Sequence, residues 1–266
     1  FLYPLRVIMS VLGVPEEDEP FMLKLTQELF SSADPELNRD GREVSPAEAL
    51  MSLKATADEL EAYFGEVTRK FRANPSDHLN SLIANATING AYLDHRQLMG
   101  YYIIAATAGH DTTSNTTAGA MWALAEDADM FAALKADPSR VNAFVEESIR
   151  WTVPVKHFMR TATQDTILGG KTIRKGDGLC LFYLSGNRDE TVFDEPDVFR
   201  ADRDPNRHIA FGHGAHLCLG MHLARLEIRI ALESFLDRFD DIHLPAGSHY
   251  EYHAGSTFNV DSLPLA

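Results

Sequence analysis

Cysteine is scarce: Cys180 and Cys218 are the 2 in a chain of 266 residues. That excludes a disulfide-stapled scaffold and fits a reducing cytoplasm. Positive charge is also in short supply, 24 Lys and Arg against 39 Asp and Glu, for a formal net charge of −15. Nucleic-acid binding and attachment to anionic membranes both need clustered Lys and Arg, so this balance argues against either. No segment reaches the roughly 20 apolar residues of a membrane span. The apolar opening, residues 1–14, is interrupted by Arg6, ends at Gly13–Val14–Pro15 and lacks the basic start and cleavage site of a signal peptide. Internal repeats and low-complexity tracts are absent. The first residue is Phe rather than Met, which leads us to expect a chain incomplete at its N-terminus.

What is present is an ordinary globular composition, 45% hydrophobic and 24% charged, at a length that suits one large domain or two small ones. Up to about residue 137 the pattern is helical. Phe21, Leu25 and Leu29 recur at helical spacing. Residues 32–43, with Asp34–Pro35, Asn38 and Gly41, read as an exposed loop. Ser45–Pro46–Ala47–Glu48 is a capping box with Pro at the first helical position, predicting a helix to about Ala73. A second long helix is expected from Asp94 to about Glu126, although its middle holds Gly109 and a run of threonines, poor choices for stability alone. Asp137–Pro138–Ser139 signals another start, leading into a helix over 141–151. Beyond Pro154 the pattern changes: Thr166–Leu168 and Lys171–Ile173 around Gly169–Gly170 predict a hairpin. Residues 178–184 read as a buried strand in which Cys180 is a small core residue. The stretch 193–209 reads as irregular, 219–239 as an amphipathic helix, and the tail from Pro245 as loop and strand. The fold class is mainly α with minor β.

Three stretches carry chemistry. In Phe211–Gly212–His213–Gly214–Ala215–His216–Leu217–Cys218–Leu219–Gly220, glycines flank a cysteine that stands at a helix start. Glycine lets another group approach the backbone closely, and a helix N-terminus favours a thiolate. Such a sulfur could face a large flat partner; a plain buried cysteine and a zinc site using His213, His216, Cys218 and His222 are the alternatives. Zinc ligands usually come in pairs from separated segments, which these bunched spacings do not provide. In Ala108–Gly109–His110–Asp111–Thr112–Thr113, small residues one turn before Thr112 leave a groove, and the Thr112 hydroxyl can bond back to the carbonyl at 108 and open a kink. An acid beside a hydroxyl at such a kink makes a proton-relay pair, or else a solvated Asp beside a tolerated Thr. In Glu147–Ser148–Ile149–Arg150 the acid and the base share a helix face; as a surface pair they would contribute about 1 kcal/mol at most.

Taken in this order, the three stretches resemble the cytochrome P450 family of heme-thiolate monooxygenases. Its central-helix pattern [AG]-G-x-[DE]-T-[TS] is matched by residues 108–113, its E-x-x-R by Glu147 and Arg150, and its heme-binding loop F-G-x-G-x-H-x-C-x-G by residues 211–220. Asn187–Arg188–Asp189 and the stretch 199–203 also look like bacterial members, and residues 151–160 look most like soluble enzymes that hydroxylate terpineol and related monoterpenes. The resemblance implies the C-terminal two-thirds of a fold whose members run to roughly 400 residues. Residues 1–137 would be the helical part with the oxygen-activating helix, and 138–266 the heme-binding part with the minor sheet. It implies heme b as cofactor, dioxygen as co-substrate, and Cys218 as the axial thiolate, with Phe211 shielding the sulfur. Gly212, Gly214, Gly220, Ala108 and Gly109 would lie against the heme, and Arg160 and His216 at its propionates. Asp111 and Thr112 would deliver protons so that water rather than peroxide leaves. Glu147, Arg150 and Arg203 would form a structural network, while Thr107, Val155, Lys156 and Phe158 would lie near a small hydrophobic substrate, terpene-like or alkyl-aromatic. An iron–sulfur ferredoxin with its NAD(P)H-dependent reductase would supply electrons, docking near Arg225 and Arg229. No nucleic-acid or membrane partner is expected.

Overall fold

The computed structural model describes residues 2–30, 38–247, 251–254 and 258–262. Helix predominates, and the described strands form 2-stranded antiparallel sheets. Two compact units divide the chain, residues 1–114 and 115–266.

The first unit contains α1 (Leu2–Leu12), α2 (Glu19–Phe30), α3 (Pro46–Ala73), α4 (Leu79–Asn85), a short hairpin of β1 (Thr87–Ile88) and β2 (Ala91–Tyr92), and α5 (His95–Ala108). The box at Ser45 forms as its sequence predicts: Ser45 N–H donates to Glu48 Oε2 at 2.8 Å while Ser45 Oγ accepts from Glu48 N–H. Asp94 and Gln97 cap α5 in the same way. Of the loop expected over 32–43, residues 32–37 lie outside the described residues. Asn38 closes its far end by accepting from the backbone N–H of Asp40 and of Gly41 at 3.0 and 2.8 Å. Leu5, Met9, Leu12, Met22, Leu25, Leu60, Phe64 and Tyr102 build the core, with the Phe64 and Tyr102 rings stacked at 4.7 Å.

The continuous helix expected over Asp94–Glu126 is interrupted. α5 ends at Ala108, and α6 (Asp111–Glu126) starts in the first unit and runs into the second. Thr112 Oγ1 donates to Ala108 O at 3.1 Å, the back-bond that competes with the helical ladder. Gly109 has a separate reason. A Cβ there would lie 2.7 Å from Ile8 Cγ1, so α1 can approach α5 only over glycine.

The second unit holds α7 (Ala128–Ala136), α8 (Val141–Thr152), β3 (His157–Thr161), β4 (Thr166–Leu168), β5 (Lys171–Ile173), β6 (Gly178–Phe182), α9 (Tyr183–Gly186), α10 (Met221–Arg238), β7 (Glu251–Ala254) and β8 (Phe258–Ser262). Phe144, Val145 and Ile149 of α8 pack with Ile228, Leu232 and Leu236 of α10, apolar residues at helical spacing on both sides. β4 and β5 form the expected hairpin. The buried strand predicted over 178–184 does not occur. β6 stops at Phe182, most of its residues are exposed, and Cys180 is exposed rather than core. Among the described residues β6 pairs only with β3, and that ribbon's Phe158, Met159, Leu181 and Phe182 are also exposed. An apolar strand is buried only when a second layer covers it. Among the described residues no helix is long and apolar enough to cross a membrane.

Candidate functional site

The cysteine loop is closed by its backbone. Gly212 N–H donates to Ile209 O at 2.9 Å, Leu217 N–H to Gly214 O at 3.0 Å, and Cys218 N–H to Phe211 O at 2.9 Å. Gly212 and Gly214 sit at φ +72° and +73°, a left-handed conformation that a side chain would strain. Gly220 then caps α10, accepting from Ala224 N–H at 2.9 Å. Cys218 therefore stands on a rigid turn immediately before a helix, and its side chain reaches solvent. Leu217 and Leu219 beside it are exposed, Leu219 by 93%. The sequence argument expected the helix start to favour a thiolate. Instead desolvation by the surrounding protein pushes the Cys218 thiol up, outweighing the Gly220 N–H and the Arg225 charge that favour the anion.

Phe211 is half-buried against the second unit's core. Its ring lies 4.7 Å from the Arg225 guanidinium and 5.7 Å from the His208 ring. Arg225 makes a two-pronged pair with Glu146, 2.5 Å from Nε to Oε1 and 2.8 Å from Nη2 to Oε2, and His208 Nε2 lies 3.1 Å from the same carboxylate. Burial opposes the Glu146 charge, but these partners win and hold its pKa at about 2. Arg225 is thus committed to Glu146. Sequence reasoning missed that acid, because Glu146 and Glu147 are adjacent and nothing in the sequence separates their partners.

The E-x-x-R pair is a buried hub rather than the surface pair that spacing alone would allow. Glu147 and Arg150 are fully buried and Arg203 nearly so. Arg150 donates through Nε and Nη2 to the two Glu147 oxygens at 2.8 Å each. Arg203 Nε reaches Glu147 Oε2 at 3.1 Å, Arg200 N–H donates to Oε1 at 2.8 Å, and Asn206 Nδ2 to Oε2 at 3.0 Å. The arginines also donate to carbonyls: Arg150 to Asn187 O and Pro196 O, Arg203 to Asp194 O and Glu195 O. Desolvation works against the Glu147 carboxylate, yet the donors from Arg150 and Arg200 prevail and lower its pKa. One buried anion thereby ties α8 to the irregular stretch 187–206, which carries few regular backbone bonds of its own.

At the interruption between α5 and α6, Asp111 and Thr112 are half-buried. Asp111 Oδ1 lies 2.9 Å from Nδ1 of the fully buried His110. Thr107 is buried and donates to Ile103 O at 2.7 Å. Ala108 is exposed, while Gly109 faces Ile8. In the second unit, Val155, Lys156 and Arg160 are half-buried and Phe158 is exposed. Arg160 Nη1 donates to Met159 O at 2.9 Å. Burial pushes the Lys156 ammonium down. His216 is exposed. Among the described residues no group of three or more His, Cys, Asp or Glu is gathered as a metal site.

Comparison with known proteins bears directly on this arrangement. A family model of cytochrome P450 matches residues 45–249. Cytochrome P450-terp of a Pseudomonas species is 45% identical over 243 residues, 91% of this chain and 57% of that protein. The steroid C26-monooxygenase of Mycolicibacterium smegmatis is 35% identical over 241 residues, 91% of this chain and 58% of that protein. This chain thus spans less than two thirds of the length of these relatives. Among solved structures, CYP108D1 from Novosphingobium aromaticivorans superposes with a TM-score of 0.87 at 45% identity, covering 99% of this chain and 60% of that one. CYP268A2 of Mycobacterium marinum in complex with pseudoionone gives 0.89 at 34%, covering 98% and 62%. By motif, by sequence and by fold, the chain belongs to the cytochrome P450 family.

Proposed function

We propose that this chain is the heme-binding and oxygen-activating portion of a cytoplasmic heme-thiolate monooxygenase. It would hydroxylate a small hydrophobic molecule, terpene-like or alkyl-aromatic, using O₂ and two electrons from an iron–sulfur ferredoxin served by an NAD(P)H-dependent reductase. The observation that carries the reading is Cys218, a solvent-reaching thiol on a left-handed glycine turn at the head of α10.

The residues present fit a heme. They offer one sulfur donor, glycines without side chains beside it, and exposed Leu217 and Leu219 as apolar surface for a flat macrocycle. Arg160 and His216 would hold its propionates through N–H donors. When bound, the heme supplies the redox chemistry, and a thiolate ligand favours O–O cleavage. The protein's part is to tune and to supply protons. The Gly220 N–H and the Arg225 charge favour the sulfur anion against desolvation. Phe211, wedged between Arg225 and His208, keeps water from that side of the sulfur. Asp111 holds a proton at its carboxyl, and the Thr112 hydroxyl passes it on by swinging away from Ala108 O. Thr107, its hydroxyl tied to Ile103 O, leaves its methyl group as the part that would meet substrate. A relative called cytochrome P450-terp and a neighbour bound to pseudoionone support a small apolar substrate. With Arg225 paired to Glu146, docking of an acidic ferredoxin falls more heavily on Arg229.

The test is the absorption spectrum of the hemin-loaded, reduced, CO-bound protein. The red-shifted band of thiolate ligation is expected, and Cys218→Ala should abolish it. A band typical of imidazole ligation in the wild type would overturn the assignment. With the enzyme turning over, Thr112→Ala should raise peroxide per product formed; unchanged coupling would remove Thr112 from the relay.

A further inference from the structure

Glu146 has no part in the proposed chemistry, yet it reaches into the surroundings of the cysteine loop from another element. It neighbours Glu147 on α8, and successive helical side chains diverge by about 100°. Glu147 turns to the irregular stretch, while Glu146 turns to residues 62 and 79 positions further along the chain. Its Oε1 accepts from Arg225 Nε at 2.5 Å and its Oε2 from Arg225 Nη2 at 2.8 Å, and His208 Nε2 lies 3.1 Å from Oε2. Among the described residues, the side chains of Arg225 and His208 make these hydrogen bonds and no others. The His208 ring is almost fully buried, and its Nδ1 has no partner.

These two side chains flank Phe211. The guanidinium lies 4.7 Å from the ring centroid and the imidazole 5.7 Å, and the Phe211 carbonyl accepts from Cys218 N–H at 2.9 Å. Arg225 is also the charged side chain that acts on the Cys218 sulfur, favouring its anion. A guanidinium on a long stem gives up rotamer freedom to stay in one place. Contact with a ring face is a weak tether at a partly exposed site, whereas a two-pronged pair with a carboxylate fixes both position and orientation.

We propose that Glu146 is a positioning residue for the Cys218 site: gripping Arg225 and His208 at once, it fixes Phe211 between them and keeps the Arg225 charge at one place beside the sulfur. It acts through Arg225 and not on the sulfur directly. Its consequence for a bound heme rests on the axial-ligand reading of Cys218. A cation held near the ligand favours the metal form with one more electron, so Arg225 raises the reduction potential and Glu146 maintains that contribution. Once released, the guanidinium turns to solvent, where water screens it.

A nitrile attached to the Cys218 sulfur by cyanylation reads the field at that atom without heme, with Cys180→Ser removing the other thiol. Arg225→Gln should shift the nitrile stretch. Glu146→Gln, which keeps one accepting oxygen, should shift it in the same direction by less, and should add nothing in the Arg225→Gln background. In the heme-loaded chain the midpoint potential should follow the same pattern, lowered by Arg225→Gln, lowered less by Glu146→Gln, and no lower in the double variant than in Arg225→Gln. Where Glu146→Gln fails to fold, Glu146→Asp keeps the anion but shortens its reach, and should shift both readouts in the same sense. A Glu146 variant that moves either readout opposite to Arg225→Gln, that moves neither, or whose effect persists in full without Arg225 overturns the proposal. If the nitrile follows the pattern but the CO-bound spectrum shows no thiolate ligation, the positioning role stands and the axial-ligand reading falls instead.

Discussion

Replacing Glu147 by Gln keeps the shape of the side chain and removes its charge, which isolates what the buried anion does. Wild-type Glu147 accepts from Arg150 twice, from Arg203, from Arg200 N–H and from Asn206, all within 3.2 Å. Glutamine turns one accepting oxygen into an NH₂ that points at guanidinium hydrogens, and it leaves two buried arginine charges without an anion. Removing one partner of a buried ion pair typically costs about 3–5 kcal/mol, a large share of the roughly 5–15 kcal/mol that holds most domains folded. The local effect can be followed in urea through Trp151, whose ring packs on Phe199 and under Arg188 in the same region, with Trp122→Phe as background to isolate its fluorescence. The sign with pH is also fixed. The Glu147 pKa is lowered in the folded state, so its stabilisation is present above the ordinary carboxylate range and is lost as pH falls through the folded value. Glu147→Gln should therefore be least stable relative to wild type at neutral pH, with the gap narrowing in acid. A stability change below about 1 kcal/mol at neutral pH, the scale of an exposed pair, would refute the reasoning.

Glu227 behaves in the opposite sense. It is buried in α10, and burial raises its carboxyl to about 7. The folded state holds this proton more tightly than the unfolded state, so stability from this group is full below the ordinary carboxylate pKa and declines as pH rises toward 7. Glu227→Gln should be more stable than wild type at mildly alkaline pH and little changed at pH 5, as thermal melts at the two values would show. Gly109→Ala places a Cβ 2.7 Å from Ile8 Cγ1 and should cost about 1–3 kcal/mol by overpacking. Ile8→Ala in the same chain should relieve part of that, and strictly additive effects in the double-mutant cycle would show that the two sites do not touch.

The local signals could be read without a structure because each depends on neighbours in sequence. The capping box at Ser45, the Gly169–Gly170 hairpin, the back-bond of Thr112 and the glycine turn around Cys218 involve partners a few residues apart, and all of them form. The long helix over 94–126 was misjudged because its periodicity continues through Gly109, while the ladder is broken by side-chain competition and by the approach of Ile8. The buried strand at 178–184 was misjudged because an apolar run does not reveal whether a second layer lies over it.

The charged groups divide in the same way. Glu147 and Arg150 could be paired from their spacing, and Arg203 was expected only through family resemblance. That a single carboxylate gathers donors from residues 150, 200, 203 and 206 follows from the path of an irregular chain that periodicity does not describe. Sequence alone determined the family, since it rests on short motifs inherent in residue type and order, and the proposed roles of Cys218, Asp111 and Thr112 come from the same motifs. Tertiary structure decided which charges are buried, that Arg225 is bound to Glu146, that desolvation pushes the free Cys218 thiol up, and that Thr26 holds the buried His110. The physical reason is that desolvation and hydrogen-bond saturation depend on what surrounds an atom in space, and those surroundings come from residues far away along the chain.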